Sequence, residues 1–146
     1  MAVKKIACCT DFSENAQRAV MTAIEMAEKY KAHLSIIHVL PPVINPMFAE
    51  TAIILSEEPR ESLILKLQEQ MQKEYGPRIG INIKYDLVVL DGHVSTEILN
   101  YLKENRTDVV VMGSYGLSGM GLVVFGSVAK RITHKAPCSV MIVRKS

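Results

Sequence analysis

The chain has 146 residues, with 17 basic against 15 acidic side chains for a formal charge of +2, 49% hydrophobic and 22% charged residues. That is the length of one domain with enough apolar content for a core, and it excludes a disordered chain. Aromatics are only 5% and no long Lys/Arg run occurs, so the electrostatic footprint of a nucleic-acid binder is missing, and no window approaches the roughly 18 apolar residues of a membrane span.

Residues 3–9, VKKIACC, read as a first strand entering an apolar core. Nothing in MAVKKIACC has the apolar length of a signal peptide. Cys8 and Cys9 are adjacent on this strand and point to opposite faces, which disfavours a bond between them. A reduced, cytoplasmic protein is the expectation for a chain with three cysteines in all. TDFSEN follows, with Asp11 or Ser13 able to cap a helix over 14–30, whose Ala16, Val20, Ala23, Ile24 and Ala27 recur at helical spacing. HLSIIHVL, 33–40, is a second strand. Pro41, Pro42 and Pro46 forbid a regular element after it, so 41–56 is expected to be a long surface loop.

Glu57, Glu58 and Pro59 open the next helix, with Leu63, Ile64, Leu67 and Met71 as its stripe and Gly76-Pro77 as its end. INIKYDLVVL alternates, with Ile81, Ile83, Tyr85, Leu87 and Val89 on one face, as in a half-exposed edge strand. Asp91-Gly92 turns into a helix carrying Val94, Ile98, Leu99 and Leu102. VVVM, 109–112, is the continuous apolar run of a central parallel strand. A glycine-rich stretch follows, then a helix over about 127–134 halted by Pro137, and a last strand at 139–144.

Strict alternation of strands and helices in a single domain spanning 1–146 predicts an α/β, three-layer, Rossmann-like fold with a five-stranded parallel sheet. Placing the alternating strand at an edge and VVVM at the centre gives the order 3-2-1-4-5. The switch point then lies between strands 1 and 4, at Thr10-Asp11 and Gly113-Ser114, where such folds bind ligands. Val140, Met141, Ile142 and Val143 are apolar on both faces although their strand is at an edge. That predicts a homodimer through this strand, against the alternative of an edge covered by its own helices.

The stretch VVVMGSYGLSGMGLVVFGSVAKRI, 109–132, fails as a Walker A loop, because Gly126 is followed by Ser127 with no Lys. It fails as a dinucleotide fingerprint, because the first strand-to-helix turn has no glycine. What remains is Gly113-x2-Gly116-x9-Gly126-Ser127. Gly113 and Gly116 would let the backbone leave strand 4 and approach a ligand closely. Gly126-Ser127 opens a helix whose free N–H groups and positive dipole end suit a phosphate chain. The plain alternative is a loop leading into a glycine-capped helix. The four histidines have no ligand spacing with one another or with the cysteines, so no metal site is expected from the protein alone.

With these residues in view, the chain resembles the universal stress protein family over nearly its whole length. The resemblance is carried by Gly113, Gly116, Gly126 and Ser127, and by KKIACCTDFS, the HV at 38–39, Gly92-x-Val94, DVVVMGSYG and APCSVMIVR. It implies an ATP- or AMP-binding domain of the adenine nucleotide alpha-hydrolase-like type that dimerises through its last strand. It places Thr10, Asp11 and Val39 around adenine and ribose, Met112, Gly113 and Gly116 on the ribose and phosphate side, and Gly126, Ser127 and Val128 at the phosphates. Where the family often carries His and Arg, this loop has Tyr115 and Leu117. Polyphosphate charge then rests on backbone amides and a nucleotide-borne Mg2+, with Asp11 as the candidate carboxylate.

The inventory near the loop suits binding better than turnover: amides, the hydroxyls of Ser114, Ser118 and Ser127, and Asp11, with no residue assigned a catalytic role. The expected function is a dimeric stress-response binding protein with an unidentified protein partner and at most slow ATP hydrolysis or self-phosphorylation. The alternatives are an ATP-using enzyme of the adenylating α/β type and a nucleotide-free adaptor acting through protein contacts.

Overall fold

Ser13 sits in an extended conformation and its Oγ accepts from the Ala16 amide at 3.2 Å, capping helix α1 (Glu14–Tyr30). The helix ends at Lys31, whose left-handed backbone (φ 54°) lets its N–H reach the Ala27 carbonyl. Its buried face is mostly alanine, Ala16, Ala19, Ala23 and Ala27 with Val20 and Ile24, so its axis can lie close to the sheet.

The computed structural model describes residues 2–42, 59–114 and 126–144. Besides α1 these contain strands β1 (Lys5–Cys9), β2 (His33–Leu40), β3 (Tyr85–Asp91), β4 (Val109–Gly113) and β5 (Ser139–Val143). The further helices are α2 (Arg60–Tyr75), α3 (Val94–Glu104) and α4 (Ser127–Lys135), with a short 3-10 turn at Gly76–Arg78. The five strands form one sheet in the order β3-β2-β1-β4-β5, and every neighbouring pair is parallel. The expected α/β architecture and strand order are therefore those of the molecule. The region expected as a surface loop lies, from residue 43 onward, outside the described residues.

Burial follows strand position. Central β4 is buried at Val109, Val110, Val111 and Met112, whereas edge strand β3 is half-buried along most of its length. Side-chain alternation splits the core into two layers. Ile6, Cys8, Leu34, Ile36, Val109 and Val111 pack beneath α1 and the end of α2. Ala7, Ile37, Val39, Val110 and Met112 pack beneath α3 and α4. Each fully buried aliphatic side chain contributes about 1.5–3 kcal/mol of transfer free energy, so both layers are substantial.

Strand 3 is shorter than its sequence pattern suggests. Ile83, Tyr85, Leu87 and Val89 do share one face against the α1 layer, but Ile81 is 99% exposed. The Ile83 amide donates to the Gly80 carbonyl in a turn at 3.0 Å, and β2 has no residue before His33–Leu34 to pair with earlier positions. Alternation without a neighbouring strand gives no sheet.

Candidate functional site

The crevice is built where β1 and β4 end side by side. Their register pairs Ile6 with Val109, Ala7 with Val110 and Cys8 with Val111, which carries Thr10-Asp11 and Gly113-Ser114 to the same end of the sheet. A Cβ on Gly113 would lie 3.2 Å from the Asn15 backbone, so glycine there lets the first turn of α1 close onto β4. This reason concerns packing, and it adds to the ligand approach read from the sequence. Gly113 has no positive φ; among the described glycines only Gly92 does, at 145°.

The second contact joins β4 to α4. The Gly126 amide donates to the Ser114 carbonyl at 2.8 Å, so the chain that leaves at Ser114 returns to the same point. Gly126 caps α4 without a side-chain bond, and its carbonyl accepts from Lys130. Among the described residues nothing accepts from the amides of Ser127, Val128 or Ala129, the ordinary state of a first helical turn. Gly126's own amide, by contrast, is used inside the fold. Gly116 lies outside the described residues.

The remaining site residues divide by face. Val39 and Met112 are buried in the layer beneath α3 and α4, and Val128 packs partly buried against it. Thr10 points the other way. Its amide donates to the Ile37 carbonyl at 2.8 Å, and its hydroxyl lies 2.6 Å from Tyr75 Oη and accepts from the Phe12 amide at 3.0 Å. Of the two cap candidates Ser13 is the cap; Asp11 Oδ1 instead accepts from the Ser13 amide at 2.9 Å, fixing the turn before it.

His38 completes the turn. Its Nδ1 is 2.8 Å from the Thr10 carbonyl and its ring centroid 4.8 Å from that of Phe12. Burial holds its pKa below the ordinary imidazole value, opposed by the Thr10 carbonyl and the Asp11 charge. Sequence reasoning missed His38 and Tyr75 as parts of this region. Tyr75 extends the Leu67, Met71 stripe by one more step of four, a signal that was present. His38 shares its strand face with Leu34 and Ile36, next to the end of β1.

The cations of α4 do not converge on its start. Arg131 Nη1 donates to Ser95 Oγ on α3 at 3.1 Å, and Lys130 is exposed. A cavity of about 270 Å3 lies at the opposite, N-terminal rim of the sheet, lined among others by His33, Ser35, Asp86 and Tyr101. Its polar groups pair with one another: Tyr101 Oη donates to Ser35 Oγ at 3.0 Å, and His33 Nε2 meets Asp86 Oδ2 at 3.0 Å. Among the described residues no three His, Cys, Asp or Glu side chains group as a metal site, and no helix is long and apolar enough to cross a membrane.

The fold and the crevice define an α/β protein of the Rossmann-like kind with its candidate site at the switch point of a parallel sheet. The chain belongs to the universal stress protein family, whose model matches residues 2–144. A universal stress protein of Methanocaldococcus jannaschii is 32% identical over 97% of this chain and 82% of its own. Among solved structures, a universal stress protein in complex with cAMP superposes with a TM-score of 0.70 at 20% identity, covering 100% of both chains. One from Archaeoglobus fulgidus in complex with dAMP gives 0.59 at 19% identity, covering 97% of this chain and 98% of the other. At these identities the two structures speak for the fold.

Proposed function

We propose that this stress-response protein binds an adenine nucleotide, ATP or AMP, in the switch-point crevice and acts through the bound state and not through turnover. The observation that carries the reading is the Gly126 to Ser114 hydrogen bond, which brings the start of α4 to the end of β4 beside the Asp11 turn. The amides of Ser127 and Val128 suit phosphate, and the apolar layer that holds Val39 and Met112 with Val128 against it is the side assigned to the purine and its ribose. Relatives solved with cAMP and dAMP support the same ligand class. Gly116 is assigned to the phosphate side by its place in the sequence motif, and Mg2+ would arrive with ATP, with Asp11 as its nearest candidate carboxylate.

Binding is favoured over chemistry because Arg131, the cation of α4 with a fixed partner, is engaged by Ser95 and leaves phosphoryl charge to amides. The protein is proposed to be a cytoplasmic single-domain homodimer, paired through β5, where Met141 is 39% exposed and Val140, Ile142 and Val143 are half-buried. Calorimetry with ATP and AMP, with and without Mg2+, tests the reading together with mass spectrometry of ligand released from freshly purified protein. Saturable binding of either nucleotide is expected. No released nucleotide and no binding heat up to millimolar ligand would overturn it.

A further inference from the structure

The turn between β1 and α1 is held from the face away from α3 and α4. Phe12 has φ 65°, a left-handed conformation that is uncommon for a bulky residue and persists only where its surroundings enforce it. The enforcing contacts are explicit. The Phe12 ring lies 4.8 Å from His38 and stacks nearly parallel on Tyr75, with centroids 6.1 Å apart. The Phe12 amide donates to Thr10 Oγ1, which is shared with Tyr75 Oη. The Thr10 carbonyl can only accept, so His38 Nδ1 carries the proton in their 2.8 Å contact. Tyr75 is fully buried at the end of α2.

We propose that Tyr75 and His38 are positioning residues of the nucleotide site, holding the Thr10–Ser13 turn in the left-handed form that presents Asp11 to the crevice. The inference rests on the nucleotide-binding reading of the same site. Tyr75→Phe keeps the ring stack and removes the hydroxyl pair with Thr10, and Thr10→Val removes that pair together with the acceptor of the Phe12 amide. If the pair acts through the turn, either loss lets Phe12 relax toward negative φ, and the Asp11 side chain turns with it. The second loss then adds little to the first.

The test measures ATP affinity by calorimetry and exchange of the Phe12 and Ser13 amides in ligand-free protein, for wild type, Tyr75→Phe, Thr10→Val and the double variant. Ile24→Val, midway along α1, serves as a stability-matched control. Each single variant is expected to weaken ATP binding by about tenfold, with faster exchange at both amides. The double variant should bind no more weakly than Thr10→Val alone, and Ile24→Val should bind as wild type. His38→Asn, whose amide can donate from the Nδ1 position, should retain more affinity than His38→Leu. Unchanged exchange in Tyr75→Phe, wild-type affinity despite faster exchange, or losses that multiply in the double variant would each overturn the inference. A wild-type chain that binds no nucleotide would bring down the ligand reading, whereas unchanged exchange in a chain that does bind would bring down only the positioning role of Tyr75 and His38.

Discussion

Asn15 and Gly113 meet so closely that a methyl group fits only if α1 gives way by a few tenths of an ångström: a Cβ on Gly113 would stand 3.2 Å from the Asn15 carbonyl carbon, carbonyl oxygen and Cβ. Two of those atoms are backbone at the start of α1 and have little room to give. Gly113→Ala should therefore cost about 1–3 kcal/mol, the usual range for overpacking, seen as a lower urea midpoint with an unchanged slope. Because the clash pushes α1 from β4 at the switch point, nucleotide affinity should fall in the same variant.

Gly126 behaves differently. Its backbone, φ −55° and ψ 142°, is open to any residue, so Gly126→Val should fold with a stability change within about 1 kcal/mol. A branched side chain would nevertheless stand beside the first amides of α4. ATP binding should weaken at least about tenfold, each tenfold being ~1.4 kcal/mol of lost interaction. Thermal unfolding and calorimetry on one preparation separate the two effects.

His38 makes stability depend on pH in a defined direction. Its pKa is lowered in the folded protein, chiefly by burial, so the unfolded chain binds the proton more readily. The stabilisation from keeping it neutral is complete above its unfolded value of about 6.5 and is lost as pH falls from there through the folded value. Urea midpoints measured from pH 8 to 5 should decline for the wild type. The decline should be shallower for His38→Asn.

Arg60 and Asp91 form a bidentate pair, with Nη2 donating to Oδ1 at 2.6 Å and Nε to Oδ2 at 3.1 Å, and Arg60 also donates to the Leu40 and Pro41 carbonyls. The guanidinium hydrogen bonds hold the Asp91 carboxyl below its ordinary value. Both side chains are more than a third exposed, so Asp91→Asn should cost less than about 1 kcal/mol. A depressed carboxylate contributes above its unfolded pKa and loses that contribution as pH falls through the folded one. The gap between wild type and Asp91→Asn should therefore close in acid. Arg60→Ala should cost more, because two carbonyl partners are lost as well.

The proposed dimer has its own test. Met141 projects from edge strand β5 and is the most exposed of its apolar residues. Met141→Glu should add a like-charge repulsion across a symmetric interface while leaving the monomer folded. Light scattering after gel filtration should show a dimer for the wild type and a monomer of 16.2 kDa for the variant.

Much of this architecture is legible in the residues because the relevant signals are local. The bounds of α1 follow from Ser13 and its alanine stripe, and those of β2 from an apolar run that Pro41 stops. Continuous VVVM against the alternating run 81–90 separates centre from edge, and with right-handed crossovers that difference orders the sheet. What is not legible depends on partners distant in sequence. Ile81 alternates correctly yet has no strand beside it. Thr10 resembles a ligand residue but pairs its hydroxyl with that of Tyr75, 65 positions away. Gly113 fits a phosphate-loop pattern, and only the packed helix shows that Asn15 also demands it.

The hydrogen bond between Ser114 and Gly126 ties the end of β4 directly to the start of α4. Closing a longer chain between two such tied points costs little more entropy, about 0.6 kcal/mol for each doubling of a flexible loop. A change in the length of the segment that joins them is therefore expected to leave the sheet and both core layers in place. For the proposed nucleotide site, this separates the question of what is bound from the problem of folding.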